Sequence, residues 1–455
     1  MLKSINPANG KTIKTFNEWN HKKIEIEIQK NLESFENWKQ TSFSQRKKLF
    51  NDIAQLLNQN KKKYIEIITR EMGKPVFLSN FEIEKCIWVC NYYAENAEKF
   101  LENEYVKTDA DKSFVRFNPL GVILAVMPWN FPFWQVFRCI VPCIIAGNTV
   151  LLKHASNVTI CSLAIEDLFI EAGFTENVLK SVLLDSKNVD RLISDNRISG
   201  VALTGSTDAG KSVGKLAGEN IKKVVLELGG SDPFIVLDDV NLDFTVKQAV
   251  YSRMLNSGQN CVAAKRFIVL KDIYEDFVHM FCEKLKKLPV GDPMDINTKV
   301  GPLAKIDILE TVDGQVQESV RMGAKILVGG KRMKDLSGFY YEPTVLTNVC
   351  KGMPVFDEET FGPVASITKV KDENEAVKVA NDSFYGLGAS IWTDNVSRAE
   401  KLIPRIEAGA VFVNDMVKSD HRMPFGGIKK SGFGRELSAY GIKEFVNIQM
   451  VYIKK

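Results

Sequence analysis

The chain has 455 residues, 60 lysines and arginines against 56 aspartates and glutamates, and 45% hydrophobic residues, which excludes disordered, collagenous and coiled-coil classes. That length predicts two or three domains, each able to bury its own core. A net charge of +4 with no aromatic cluster among the basic residues is too weak a footprint for nucleic acid.

In chain order, Met1-Leu2-Lys3-Ser4-Ile5-Asn6-Pro7 lacks the apolar segment of a targeting signal, and Pro128, Pro142 and Gly147 cut the most apolar stretches short of about 18 residues. No membrane span is expected. Residues 24 to 105 predict helices, with Leu49, Ile53, Leu56 and Leu57 at helical spacing and Lys61-Lys62-Lys63 solvating a helix end. Cys86/Cys90 and Cys139/Cys143 each share one helix face amid apolar residues, a pattern of burial rather than metal ligation. Eight cysteines in all predict reduced thiols in the cytoplasm. The histidines lie far apart, with no H-E-x-x-H and no Cys-x-x-Cys, so no metal is expected.

From Pro119 short apolar runs alternate with helical ones: Gly121 to Val126, Thr149 to Leu152, Val178 to Leu184, Val201 to Leu203 and Val224 to Leu228. This is the rhythm of a parallel sheet covered by helices. A second α/β stretch starts at Pro233, with strand-like runs at Phe234 to Leu237, Phe267 to Leu270, Ile326 to Val328, Val364 to Ile367 and Ala410 to Val413. Tyr105 to Phe117 and Phe445 to Ile453 alternate polar and apolar residues and have no place in either sheet. They are expected to pair across subunits of a homodimer or homotetramer.

Gly205-Ser206-Thr207-Asp208-Ala209-Gly210-Lys211-Ser212 spells a phosphate-binding P-loop between a strand-like and a helix-like run, and Ile235-Val236-Leu237-Asp238 resembles its magnesium-binding strand. An ATPase is therefore a rival reading. It explains none of the remaining motifs, which converge on thiol chemistry. In Asn256-Ser257-Gly258-Gln259-Asn260-Cys261, the cysteine follows a small-residue turn where a substrate can reach it, and it needs a base, cation or helix N-terminus to act as a nucleophile. Glu227, at the end of an apolar strand in Leu226-Glu227-Leu228-Gly229-Gly230, is the candidate base. In Met127-Pro128-Trp129-Asn130-Phe131-Pro132, two prolines stiffen a loop that presents the Asn130 amide, a donor suited to an oxyanion. Read singly, Cys261 can also be a buried small hydrophobe, Glu227 a strand-end carboxylate and Asn130 part of a structural loop.

Together, Pro128-Trp129-Asn130-Phe131-Pro132, Glu227-Leu228-Gly229-Gly230, Gly258-Gln259-Asn260-Cys261, Glu358-Glu359-Thr360-Phe361-Gly362-Pro363 and Pro424-Phe425-Gly426-Gly427-Ile428-Lys429-Lys430-Ser431-Gly432 resemble the aldehyde dehydrogenase superfamily in order and spacing, from about Asn6 to the C-terminus. Pro132-Phe133-Trp134-Gln135-Val136-Phe137-Arg138, Leu152-Lys153-His154-Ala155 and Val417-Lys418-Ser419-Asp420 resemble its bacterial succinate-semialdehyde dehydrogenase subgroup.

The resemblance implies an α/β fold: a Rossmann-like dinucleotide-binding domain over 1–104 and 118–228, an α/β catalytic domain over 229–418, and small oligomerisation strands over 105–117 and 435–455. It implies Cys261 as nucleophile, Glu227 as base for thioester hydrolysis and Asn130 as oxyanion donor. Trp129, Lys153, Ser156, Gly205, Ser206, Glu359 and Phe361 would line the cofactor, and Arg138 and Ser419 the substrate carboxylate. A third family position for that carboxylate carries arginine in the subgroup but Leu255 here; Arg253 lies close enough in sequence to compensate, or to form an interface ion pair instead. Many NAD-preferring members carry glutamate where this chain has Ser156, so NADP is the expected preferred cofactor, with NAD accepted. The blander reading is that Ser156 merely begins the next helical turn. The expected reaction is oxidation of an aldehyde, succinate semialdehyde first and neutral aldehydes as the alternative, to the acid. A thiol hydrolase and a non-catalytic scaffold are the other rivals.

Overall fold

The computed structural model describes residues 1–455. Helices His21–Trp38, Phe43–Gln59, Lys61–Met72 and Val76–Phe100 fill the stretch expected to be helical. Local chemistry sets their ends. Asn20 accepts from the Lys23 N–H, Ser42 and Gln45 cap each other reciprocally, and Gly73, at φ +80°, ends the third helix in a left-handed turn. Lys61-Lys62-Lys63 open that third helix, where Lys61 pairs with Glu84 at 2.7 Å. A hairpin, Leu2–Asn6 with Lys11–Phe16, precedes them.

The first sheet has six strands in the order Gly432–Phe433, Lys223–Glu227, Ile198–Thr204, Val122–Met127, Thr149–His154, Leu179–Ser181. All are parallel except Gly432–Phe433, which returns from the C-terminal segment to lie antiparallel to Lys223–Glu227. The chain starts in the middle, runs outward one way, then resumes on the other side. The reversal leaves a crevice beyond the carboxyl ends of Val122–Met127 and Ile198–Thr204, where ligands of such sheets bind.

The second sheet has seven strands, ordered Lys325–Val328, Thr344–Thr347, Val364–Val370, Ala264–Leu270, Asp232–Val236, Gly388–Trp392, Ala410–Val413. Only Lys325–Val328 is antiparallel to its neighbour. Thr344–Thr347 and Gly388–Trp392 escape a reading by apolar runs, the first for its two threonines and the second for its glycine start.

The two alternating segments do not wait for a partner subunit. Lys112–Pro119 and Val446–Ile453 pair antiparallel within the chain, from Val446 opposite Pro119 to Ile453 opposite Lys112, and Glu104–Tyr105 completes a third sheet. Equal length and matching alternation make that register available inside one chain. The outer edge of Val446–Ile453 stays unpaired, with Ile448, Met450 and Tyr452 exposed. Cys86, Cys90, Cys139 and Cys143 are buried on their helices, and no helix is long and apolar enough to cross a membrane.

Candidate active site

The loop after Val122–Met127 carries Asn130, and three unrelated segments hold it. The His154 ring accepts from the Ala155 N–H through Nδ1 at 2.9 Å and meets the Pro132 carbonyl through Nε2 at 2.8 Å. Burial lowers its pKa to about 4, so it stays neutral and keeps this geometry at ordinary pH. Behind the loop, Glu82 Oε1 accepts from the backbone N–H groups of Phe133 and Trp134 at 2.8 and 3.0 Å, at the start of helix Trp134–Ile145. A carboxylate there satisfies orphan donors and the positive end of the helix dipole. Glu82 is in turn ion-paired to Lys74, both fully buried, and the Lys74 ammonium stands 3.6 Å from the Phe131 ring centroid.

The cysteine loop leads into Ala264–Leu270 of the second sheet. Asn256, Ser257 and Gly258 have φ of 55°, 56° and 75°, three consecutive left-handed residues of which only glycine is free of strain. A Cβ at position 258 would collide with the Gly362 carbonyl. Hydrogen bonds offset the strain. Ser257 Oγ donates to the Gly301 carbonyl at 3.0 Å, and Asn256 Nδ2 donates to the carbonyls of Asn130 and Gln259 at 2.9 and 3.0 Å. Asn130 Nδ2 donates to the same Gln259 carbonyl at 3.2 Å. The two loops are thereby joined, and the second Asn130 amide hydrogen and the Cys261 N–H, which no backbone or side-chain acceptor takes, are left as a pair of donors. Lys265 Nζ donates to the carbonyls of Asn260 and Cys261 at 3.0 and 2.8 Å. Burial pushes the Cys261 thiol up to about 12, with Arg138 and Lys265 pulling the other way.

Glu227, at the carboxyl end of its strand, is 2% exposed, and its Oε1 has no hydrogen-bond partner. Burial raises its pKa well above the usual carboxylate range; Arg138 and Arg435 oppose that and Glu436 adds to it. Arg138 is the electrostatic centre of the site. It forms a buried ion pair with Glu436, lies 4.5 Å from the Phe425 ring centroid, and feels the charges of Glu227 and Cys261. Its Nη2 has no hydrogen bond.

On the cofactor side, Trp129 and Phe361 meet edge to face at 5.6 Å between centroids. Glu359 Oε1 accepts from the Gly230 N–H at 3.0 Å and lies 3.6 Å from Lys265 Nζ; a Cβ at Gly229 would strike its carboxylate. Gly205 donates its N–H to the Glu227 carbonyl at 3.0 Å, and Ser206 caps helix Thr207–Glu219 by accepting from Ala209 N at 3.3 Å. Lys153 is buried at a strand end with no carboxylate paired to it, and exposed Ser156 sits just beyond, opening a short helical turn. A helix N-terminus at Thr207 and a buried lysine with no ion-paired carboxylate fit a phosphate-bearing dinucleotide.

The P-loop reading fails on geometry. The helix begins at Thr207, inside what would be the phosphate loop, and exposed Lys211 pairs with exposed Asp208 at 2.9 Å. Asp238 follows strand Asp232–Val236 of the other sheet and pairs with Arg398 at 2.7 Å.

Of the residues assigned to substrate, Arg138 reaches the centre but shares its guanidinium with Glu436. Ser419 Oγ accepts from Trp134 Nε1 at 3.0 Å and from Lys85 Nζ at 2.8 Å. Arg253 does not compensate for Leu255 and makes no interface ion pair. It is fully buried and donates to the Thr360 and Gly362 carbonyls, supporting the Glu359 loop, while Leu255 lines a separate groove with Phe77, Tyr251 and Met254. Lys74, Glu82, Lys85, His154, Lys265 and Glu436 escaped the sequence reading. Lys74, Glu82 and Lys85 are lone polar residues on otherwise ordinary elements, whereas His154, beside Lys153 in a quoted motif, Lys265, four residues past the cysteine, and Glu436, just past the glycine motif, had a nearby signal.

The aldehyde dehydrogenase family model matches residues 1–451. The chain is 48% identical over 454 residues to a probable succinate-semialdehyde dehydrogenase [NADP(+)] of Synechocystis sp., covering 99% of each chain. It is 46% identical over 455 residues to succinate-semialdehyde dehydrogenase [NADP(+)] 1 of Mycobacterium bovis, again covering 99% of each. The crystal structure of succinic semialdehyde dehydrogenase from Streptococcus pyogenes with NADP+ superposes with a TM-score of 0.97 at 36% identity, covering 100% of both chains. A thiol, a buried carboxylate and paired oxyanion donors at one dinucleotide crevice, with relatives this similar over the full length, mean that the chain belongs to the aldehyde dehydrogenase family and is an NAD(P)-dependent enzyme that oxidises aldehydes.

Proposed function

We propose that the protein oxidises succinate semialdehyde to succinate with NADP as preferred cofactor, as the names of its relatives suggest. The observation carrying the substrate half is the cationic character of this end of the site, where Arg138, on the helix that starts at Trp134, keeps a buried Nη2 with no acceptor and the Ser419 hydroxyl bonds Trp134 and Lys85. The cofactor half rests on Lys153, which has Asp185 nearby but no direct ion pair, and on a serine three residues on, a pair that accepts a 2′-phosphate a glutamate would repel.

In this reading Cys261 Sγ, as the thiolate, attacks the aldehyde carbon. The oxygen that becomes anionic is held by Asn130 Nδ2 and the Cys261 N–H. A bound nicotinamide supplies the hydride acceptor, leaving a thioester on Cys261. Glu227 then takes a proton from water, whose oxygen attacks the thioester; the C–S bond breaks to release the acid and the Cys261 thiolate, and Glu227 returns its proton to solvent. A buried base beside the thioester favours hydrolysis over transfer of the acyl group to coenzyme A.

The protein acts as a homodimer or homotetramer in the cytoplasm in this proposal, supported by the exposed edge of Val446–Ile453 and by eight unpaired thiols. Reduced cofactor read at 340 nm, with succinate semialdehyde and butanal crossed against NADP and NAD, tests the assignment. The expected optimum is succinate semialdehyde with NADP; equal kcat/KM for both aldehydes refutes the substrate, and a tenfold preference for NAD refutes the cofactor.

A further inference from the structure

Lys85 lies on helix Val76–Phe100, far from the site in sequence, yet its half-buried side chain turns inward. A lysine of this length normally carries its charge out to water. Here Nζ donates to Ser419 Oγ at 2.8 Å and stands 4.1 Å from the Trp134 ring centroid. Trp134 Nε1 donates to the same Oγ at 3.0 Å. Both lone pairs of the Ser419 hydroxyl are thereby taken, so its hydrogen can only be donated onward.

No carboxylate neutralises Lys85. Glu82, on its own helix, is paired with Lys74, and Asp420 is paired with Arg422 at 2.6 Å. Arg138 adds a second positive charge nearby, with a buried Nη2 that has no acceptor. The Lys85 ammonium and the Ser419 hydroxyl thus meet with no carboxylate between them, near an Arg138 guanidinium whose one ion-paired carboxylate is Glu436, an arrangement that is unfavourable until an anion enters.

We infer that Lys85 is a specificity-determining residue that receives the distal carboxylate of the substrate together with Ser419 and Arg138, in the role that neither Leu255 nor Arg253 fills. The inference rests on the succinate-semialdehyde reading above and adds the residue that enforces it. The groups facing Lys85 are Glu82 and Cys86 on its own helix, Arg138 on helix Trp134–Ile145, and Asp420 and His421 on the Ser419 loop. Burial first, then Arg138, pushes the Lys85 ammonium down to about 7, so its charge, and with it affinity for an anionic aldehyde, declines as pH rises through that value.

The test is steady-state kinetics of the intact enzyme, Lys85→Met and Lys85→Arg with succinate semialdehyde and butanal between about pH 6 and 9. Wild type should prefer succinate semialdehyde, with KM climbing above neutrality. Lys85→Met should raise that KM about tenfold or more and leave butanal within about twofold, which also shows that the variant is folded. Lys85→Arg should keep the low KM and lose its rise with pH, since a guanidinium stays charged. If wild type prefers succinate semialdehyde and Lys85→Met keeps the preference, or loses both activities equally, the role of Lys85 is wrong. If wild type itself shows no preference, the substrate reading falls and takes this role with it.

Discussion

Burial raises the proton affinity of both partly buried Cys261, its thiol at about 12, and fully buried Glu227, its carboxyl well above its ordinary range. Nucleophile and base each become competent by losing a proton, so turnover of the wild type should increase as pH rises from about 6 to 9. Cys261→Ala should abolish dehydrogenase and esterase activity together. Glu227→Gln should retain a stoichiometric burst of reduced cofactor followed by slow turnover; undiminished steady-state turnover would remove Glu227 from deacylation. Asn130→Ala should lower kcat by about 100- to 1000-fold with little change in KM, the signature of a donor that acts on the transition state. Ser156→Glu should shift the kcat/KM ratio from NADP toward NAD, and an unchanged ratio would leave Ser156 as only the start of a turn.

At the scale of elements, helix Trp134–Ile145 is the part on which the chemistry hangs. It carries Arg138, its entry loop carries Asn130, and its first N–H groups rest on Glu82. Glu82 can hold that position only because Lys74 neutralises it in a fully buried pair. Removing one partner leaves an uncompensated buried charge, whereas removing both costs far less. Glu82→Gln should therefore destabilise the fold by about 3 to 5 kcal/mol in urea unfolding and lower kcat as the Asn130 loop loosens. Lys74→Met combined with Glu82→Gln should recover a good part of the stability. Additive losses in the double variant would show that the pair is not coupled.

For the molecule as a whole, the candidate catalytic residues come from strand ends and a loop belonging to two different sheets. Glu227 and Asn130 lie at carboxyl ends of the first sheet, and Cys261 precedes Ala264–Leu270 of the second. The third sheet consumes both alternating segments internally, yet exposes the edge of Val446–Ile453 with Ile448 and Met450 outward. Such an edge seeks a partner strand. Light scattering at micromolar concentration should give a dimer or tetramer, and Met450→Asp should shift it toward smaller species; a wild-type monomer contradicts the assembly proposed.

Local pattern was enough to reveal the alternation of strands and helices and the resemblance to aldehyde dehydrogenases, and to nominate Cys261, Glu227 and Asn130 as candidates, because short motifs carry the turn chemistry and the reactive groups together. It also supplied one false lead, the P-loop spelling at Gly205 to Ser212, since letters do not say where a helix starts. The Lys74–Glu82 pair, the His154 strut, the Arg138–Glu436 ion pair and the turn of Lys85 toward Ser419 were not legible in it. Glu82 is 51 residues from Phe133, and Lys85 is 334 residues from Ser419. A buried charge is tolerable only where a distant partner meets it, and which partner arrives is a property of how the helices and sheets pack.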